Sequence, residues 1–200
     1  MSIDLIAYGM EDKMRYPADE TADKHRRLLD AASAMFRARG LDGVTVSDVM
    51  KAAGMTHGAF YSHFENKNQM AETAISSIVD QADEDIAHVI ATSPNPRQSF
   101  LYDYLSPTHR DNPGAGCVMS ALAVEIGRDG IGRSTLTRHL QRWIRRTADG
   151  FKWKKRGQRR DQAILMTAAM VGAVVLARAV DDSEFSDEIL SVTRQQLLDY

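Results

Sequence analysis

The sequence of 200 residues has six histidines and one cysteine, the side chains that most often ligate metals or act as nucleophiles. His57 and His63 are six residues apart, which puts them on different sides of a helix, whereas a zinc-binding pair on one helix is spaced by four. The other histidines are scattered, away from the cysteine. No glycine-rich phosphate loop or nucleophile elbow is present. We therefore expect that the protein is not an enzyme and that it has no metal site and no cofactor.

An unusual mixture of polar, aromatic and small residues lies in the stretch GMTHGAFYSHFENK, residues 54–67. It combines two glycines, two histidines and three aromatic residues in fourteen positions. No single helical or strand period accounts for this mixture. The stretch is therefore either an irregular loop or a short element whose exposed face contacts a partner.

Composition and helical signals favour an all-α protein. The chain is 44% hydrophobic, has five prolines, and is rich in residues that favour helices. One cysteine makes no internal disulfide, which fits a reducing compartment. The N-terminus lacks the apolar core of a signal peptide, and the longest uncharged run, residues 163–177, is shorter than the roughly 20 residues that span a bilayer. We expect a soluble, cytoplasmic protein without a membrane partner.

Periodicity and capping signals divide the first part of the chain into short elements. Residues 1–20 are expected to form a loose arm, and an amphipathic helix is predicted from Thr21 to Gly40. Thr45 and Asp48 fit a capping box for a short helix that ends at Gly54. Thr56 is the next candidate N-cap, for a helix that runs through His63. Asn66, followed three residues later by Gln69, predicts the start of a long helix towards Ile90.

This order of elements predicts a helix-turn-helix, in which the second helix of the pair enters the major groove of DNA. We therefore divide the chain into a three-helix DNA-binding head, residues 21–68, and a helical ligand-binding and dimerisation domain, residues 69–200. Val49, Phe60 and Phe64 are expected to hold the two short helices together. The polar and small residues between them are left to face a duplex, and Gly58 lets the backbone approach closely.

The stretch TVSDVMKAAGMTHGAFYSHFENKNQM resembles the DNA-binding signature of the TetR family of transcriptional repressors. The match covers about fifty residues, from Leu28 to Ile78. Met14–Pro17 resembles a common beginning of such proteins, which leaves open whether residues 1–13 are an extension. More loosely, residues 116–127 resemble a helix start found in NemR-like members. The positions that carry the main match are Thr45, Ala53, Gly54, Thr56, Gly58, Phe60, Tyr61, His63, Phe64 and Lys67.

The resemblance implies a set of DNA contacts in the head. Positions His57, Gly58 and Ala59 are expected at base edges or nearby sugars, and only His57 of these can read a base by hydrogen bonding. Phosphate contacts fix register, whereas base contacts specify sequence. The predicted phosphate ligands and their neighbours on the same surface are Thr45, Thr56, Tyr61, His63 and Lys67.

Small and apolar residues in the last forty positions predict a homodimer. Ala168 and Gly172 permit close approach of helices, and Phe185, Ile189 and Leu197 add a second apolar stripe. Two such helices from each chain would form a four-helix interface with two-fold symmetry. An internal core helix is the alternative.

Charge is distributed unevenly, and residues 128–160 carry twelve bases against two acids. The basic segment, residues 142–160, is predicted to be an exposed loop. The alternative is a second anion-binding surface, on which Trp143, Phe151 and Trp153 would stack on bases or on an aromatic ligand. The same rings are equally suited to a core.

Cys117 is the candidate effector-sensing residue. It follows NPGAG and begins an apolar helix, so that the positive end of the helix dipole would stabilise its thiolate form. It also matches the reactive cysteine of NemR-like members, and Glu125 matches an acid that they share. A buried thiol among apolar neighbours is the alternative.

Together these features predict a TetR-type repressor that binds double-stranded operator DNA and is released by a small-molecule or electrophile effector. Two other classes of protein remain open. One is a DNA-binding protein without a ligand, and the other is a helical ligand carrier that does not bind DNA. The sequence names neither the operator nor the effector.

Overall fold

The computed structural model describes residues 18–154 and 158–199. In these residues the chain forms nine α-helices and two short 3-10 helices and has no strand, which confirms the all-α prediction. The 3-10 helices are His57–Ser62, called the recognition helix below, and Pro113–Ala115. The α-helices are α1 (Ala18–Arg39), α2 (Val46–Ala52), α3 (Lys67–Thr92), α4 (Pro96–Tyr104), α5 (Pro107–Asp111), α6 (Val118–Asp129), α7 (Arg133–Gly150), α8 (Arg159–Ala179) and α9 (Ser183–Asp199).

The head is built from α1, α2, the recognition helix and the start of α3. Helix α1 spans Ala18–Arg39, so residues 18–20 of the predicted arm are helical. The rest of that arm lies outside the described residues. The capping box is present at Thr45, whose hydroxyl accepts from the Asp48 amide at 3.1 Å while the Asp48 carboxylate accepts from the Thr45 amide at 3.0 Å. The predicted N-cap at Asn66 is also observed.

The recognition helix follows its predicted N-cap Thr56, is a 3-10 helix, and ends at Ser62, one residue before the predicted end at His63. Its hydrogen bonds join residues three apart, from the Ala59 amide to the Thr56 carbonyl and from the His63 amide to the Phe60 carbonyl. Six residues form too few α-helical bonds to favour that geometry, and 3-10 helices are common in short pieces. Phe60 and Phe64 anchor the segment because both rings are buried in the head.

Helix α3 joins the head to the rest of the chain. Its 26 residues extend about 39 Å at 1.5 Å per residue. One continuous core includes Phe36 of the head, Ile75 of α3 and Leu122 of α6. The predicted division at residue 68 therefore does not separate two hydrophobic cores. The head packs directly on α6.

A second core lies among α3, α4, α7, α8 and α9. Trp143 donates its indole N–H to the Thr167 hydroxyl at 3.1 Å, which ties α7 to α8. Trp153 follows α7 and donates to the carbonyls of Thr147 and Ala148. Phe100 of α4 packs against Trp143 with ring centroids 5.1 Å apart.

Helix α8 is the one helix in the described ranges that is long and apolar enough to cross a membrane. Of its most apolar window, 44% is buried inside the protein. It packs against α6, α7 and α9, which is how the core helix of a helical domain behaves. Length and composition alone are weak support for a membrane span.

Candidate nucleic-acid interface and ligand cavity

The recognition helix presents an exposed face. Thr56, His57 and Gly58 are exposed, and Tyr61 is 70% exposed despite its aromatic ring. Thr56 occupies the N-cap position, but its hydroxyl makes no capping hydrogen bond. Ala59 is half-buried against the head core. The face therefore offers one hydroxyl, one imidazole and one phenol to a partner.

Two glycines shape this surface in different ways. Gly54, in the turn between α2 and the recognition helix, has φ +70°, a left-handed conformation that side chains with a Cβ rarely adopt. A Cβ added at Gly58 would meet no protein atom within 4 Å. The fold itself therefore leaves room for a side chain at Gly58, and a partner approaching the backbone would occupy that space.

Thr45 is exposed at the start of α2, but its hydroxyl is already engaged. It donates to the Asp48 carboxylate at 2.7 Å in addition to accepting from the Asp48 amide. These bonds lower the pKa of Asp48, with the Thr45 hydroxyl as the first cause. A phosphate contact through the Thr45 hydroxyl would have to replace one of them.

The N-terminus of α3 lies directly after the recognition helix and begins with Lys67. The Asn66 side chain accepts from the Gln69 amide at 3.0 Å, and Gln69 in turn accepts from the Glu65 amide at 2.6 Å. Helix geometry leaves the amides of Lys67 and Asn68 without intrahelical acceptors. Two free amides beside an ammonium group form a suitable site for a phosphate.

His63 is partly turned into the head. Its ring lies 5.6 Å from that of His25 on α1, and it is half-buried. Burial lowers the pKa of His63, and the positive charges of His25 and Lys24 lower it further. His25 was not predicted from the sequence, because no local motif indicates a contact between residues 38 positions apart. The two rings and Lys24 place basic groups of α1 beside the recognition helix.

A cavity of about 370 Å³ lies between α3, α4, α6 and α7, behind the head. Its size is in the range of small-molecule sites. Cys117, the predicted sensing residue, lines this cavity. The side chains that form its apolar wall are Ile78, Ile86, Val89, Phe100, Val118, Met119 and Trp143.

Cys117 is the N-cap of α6 and is half-buried. Its Sγ accepts from the Met119 amide at 3.3 Å, and its own amide donates to Nε2 of His109 at 3.1 Å. Burial lowers the pKa of His109, whose other ring nitrogen donates to the Tyr104 carbonyl at 2.7 Å. The prediction that the histidines lie away from the cysteine is wrong for His109. The loop that ends at Gly116 folds back and joins them.

Helix α6 is tied to the head at both ends. Near its start, Arg37 of α1 donates to the Gly116 carbonyl at 3.3 Å. Near its end, the Glu125 carboxylate accepts from the Leu41 amide at 2.5 Å. Arg128 adds an exposed ion pair with Asp42 at 3.2 Å. A movement of α6 would thus be transmitted to the C-terminal end of α1.

Helices α8 and α9 expose an apolar surface. Leu165 and Leu176 are eleven residues apart, close to three helical turns, so they share one face of α8. Gly172 lies between them, and a Cβ added there would meet no atom of the chain within 4 Å. Leu197, which was assigned to the apolar stripe, is instead buried in the second core. The exposed large apolar residues of these helices are Ile164, Leu165, Val175, Leu176, Phe185 and Val192.

The basic segment is largely helical and not the predicted loop. Residues 142–150 form the end of α7, and residues 155–157 lie outside the described residues. Trp143, Phe151 and Trp153 are buried. The exposed stacking surface considered for these rings is therefore wrong, and the core role is the one observed.

Known proteins resemble parts of this chain in sequence. The profile of the family described as "Bacterial regulatory proteins, tetR family" matches residues 28–74. The HTH-type transcriptional repressor KstR2 of Rhodococcus jostii is 34% identical over 87 residues, which cover 42% of this chain and 43% of that repressor. The HTH-type transcriptional repressor DhaR of a Mycobacterium species is 24% identical over 181 residues, or 86% of this chain and 91% of DhaR.

Solved structures share the fold along nearly the whole chain. The reduced form of NemR from E. coli has a TM-score of 0.72 at 19% identity, and the match covers 88% of this chain and 96% of NemR. A TetR transcriptional regulator from Chloroflexus aurantiacus has a TM-score of 0.72 at 22% identity, with 90% and 96% covered. At these identities the comparison establishes the architecture of the helices and no shared ligand.

Proposed function

The chain belongs to the TetR family of bacterial regulatory proteins, and we propose that it is a dimeric transcriptional repressor, not an enzyme, that binds operator DNA in the cytoplasm. The observation that carries this proposal is the exposed recognition helix, held by a capped helix-turn-helix inside the residues that match the family. The relatives named above are themselves described as transcriptional repressors.

Two kinds of DNA contact are proposed for the head. His57, with Gly58 and Ala59 beside it, would approach base edges, and His57 alone would read a base by hydrogen bonding. Thr56, Tyr61 and the α3 N-terminus at Lys67 would bind phosphates. Thr45 and His63 remain on the proposed surface, although each already has a partner within the chain.

Lys67→Ala should weaken operator binding about equally for all DNA sequences and reduce the slope of log K against log salt by about one charge. His57→Ala should instead change the preference at one base position. Both are measured by titrating operator variants at several salt concentrations. Lys152→Ala, an exposed lysine after α7, is the matched control and should bind as the parent does. Parental behaviour of both head variants would remove these residues from the interface.

Dimerisation is proposed to use the apolar surface of α8 and α9. Two copies of this surface, related by a two-fold axis, would bury it in a four-helix interface. The two heads would then contact half-sites in successive major grooves, roughly 34 Å apart. The small residues Ala168 and Gly172 would allow the two copies of α8 to approach closely.

Release by an effector is proposed to start at the cavity beside Cys117. The cavity borders the first turn of α6, and the contacts of Arg37 and Glu125 join α6 to the head. An effector that prefers a shifted position of α6 would change the separation of the heads and favour the unbound state. A DNA-binding protein without a ligand would lack this coupling. A screen in which no compound both raises the Tm and releases the operator would support that alternative.

Cys117 is proposed as the site of an electrophile effector. Its half-buried sulfur lines the cavity, and the cationic groups of Arg37 and Arg178 lie near it. Addition of the thiolate to a quinone forms a thioether without any second cysteine.

Treatment with p-benzoquinone should release the parent protein from its operator, whereas Cys117→Ser should stay bound, since a hydroxyl is a far weaker nucleophile at neutral pH. Fluorescence anisotropy of labelled operator follows the release, and mass spectrometry locates the adduct. Equal release of the parent and Cys117→Ser would assign the thiol to packing alone.

A further inference from the structure

Two residues that line the cavity carry buried polar atoms without a close partner. Among the described residues, the Tyr104 hydroxyl and Nε of Arg37 are buried and make no hydrogen bond of ordinary length, although the Cys117 and Ser120 side chains lie near the Tyr104 hydroxyl. Both residues line the cavity beside Cys117. Most buried polar groups are paired, because an unpaired one loses its bonds to water without compensation. Two such residues in the lining of one cavity point to a ligand that completes their hydrogen bonds.

The Tyr104 side chain is held in place for this role. The residue is only 6% exposed, and its ring packs against that of His109 with centroids 4.4 Å apart. Burial raises the pKa of Tyr104 well above its ordinary value, and the nearby Cys117 raises it further. The phenol therefore keeps its proton and acts as a hydrogen-bond donor.

Arg37 supplies positive charge to the same cavity. One guanidinium nitrogen donates to the Gly116 carbonyl, and no carboxylate of the described residues forms an ion pair with this side chain. Burial lowers the pKa of Arg37, which reflects the cost of holding a cation away from water. An anionic acceptor would offset that cost.

The remaining polar groups of the cavity are already paired or exposed. His109 uses both ring nitrogens, and His139 bonds to Asp83 at 3.1 Å. Asp85 and Asp103 line the cavity but are exposed to solvent, where water screens their charges. The opposite wall is apolar, with Phe100 and Trp143 among its side chains.

We propose that the cavity, besides exposing Cys117 to an electrophile, binds a second and non-covalent effector, an amphipathic organic acid whose carboxylate accepts hydrogen bonds from Tyr104 and Arg37 while its apolar body packs between α3, α4 and α7. A volume of about 370 Å³ has room for roughly a dozen non-hydrogen atoms, at the ~30 Å³ that a water molecule occupies in the liquid. A medium-chain fatty acid or an arylalkanoic acid has this size. The acid is held without a covalent bond to Cys117. The inference rests on the proposed function, because binding of the acid is expected to shift α6.

The test compares acids with alcohols of the same skeleton, in the absence of DNA. Octanoate and 4-phenylbutanoate should raise the Tm of the parent protein and bind at least about tenfold more tightly than octan-1-ol and 4-phenylbutan-1-ol, because hydrogen bonds to a charged group are the stronger ones. Calorimetric titration gives the affinities. Failure of both acids to bind, or equal affinity for the alcohols, would overturn the proposal while leaving operator binding untouched.

Two variants assign the contacts. Tyr104→Phe should weaken binding of 4-phenylbutanoate about tenfold or more without lowering the Tm of the unliganded protein, since the hydroxyl that it removes is unpaired. Arg37→Gln should abolish the preference for the acid over the alcohol. Tyr102→Phe, an exposed tyrosine on the same helix, is the control and should bind as the parent does. Parental affinity in Tyr104→Phe, or a lower Tm without ligand, would assign the hydroxyl a structural role and overturn the proposal.

Discussion

Leu176→Glu should convert the protein from a dimer to a monomer and lower its operator affinity by about a thousandfold or more. Leu176 is 58% exposed on the apolar face of α8, so the isolated chain accepts a glutamate there without loss of packing. In a two-fold interface the substitution buries two carboxylates that lack partners, which costs several kcal/mol. A monomer contacts one half-site and loses most of the difference between specific and non-specific binding, about 10³-fold or more.

Sedimentation velocity at micromolar concentration measures the first effect, and titration of operator DNA at fixed salt measures the second. Val124→Glu is a matched control, because Val124 is 81% exposed on α6 and lies outside the proposed interface. It should remain a dimer with parental operator affinity. A Leu176→Glu protein that is still dimeric, or a parent that sediments as a monomer, would show that α8 and α9 do not form the interface.

Asp83→Ala should lower the free energy of unfolding by about 2 kcal/mol, within the range for leaving a buried hydrogen-bond donor unpaired. The Asp83 carboxylate accepts from Nδ1 of His139 at 3.1 Å and from Nε of Arg142 at 2.7 Å. Burial lowers the pKa of His139 in spite of the nearby carboxylate, so its imidazole is neutral and donates one N–H. Removal of Asp83 leaves that buried donor unpaired, whereas Arg142 is partly exposed and can turn to solvent.

Denaturant unfolding at one fixed protein concentration measures the change, because dimerisation makes the apparent stability depend on concentration. Asp80→Ala is the control: Asp80 lies on the same helix, is exposed, and its loss should change stability by less than about 0.5 kcal/mol. If Asp83→Ala lowers the free energy of unfolding by less than about 1 kcal/mol, solvent already satisfies the hydrogen bonds of His139 and Arg142.

Elements whose signals lie within a few residues could be predicted from the sequence. The capping box of Thr45 and Asp48 and the cap of Asn66 were found because each side chain bonds an amide three residues away. The burial of Phe60 and Phe64 followed from spacing along one short segment. The family resemblance depends on the same local pattern, and for that reason the all-α fold and the family were predicted correctly.

The cavity was decided only by tertiary structure. Arg37, Tyr104, His109 and Cys117 come from different elements, and Arg37 and Cys117 are 80 positions apart in the chain. No hydrophobic period or capping motif in the sequence indicates that these four residues lie close together, because their approach depends on how α1 and α4 pack around α6. The same reason applies to Trp143 and Trp153. The charged residues around them in the sequence suggested an exposed surface, but both rings are buried in the second core. Local sequence determined the DNA-binding head, and long-range packing determined the cavity behind it.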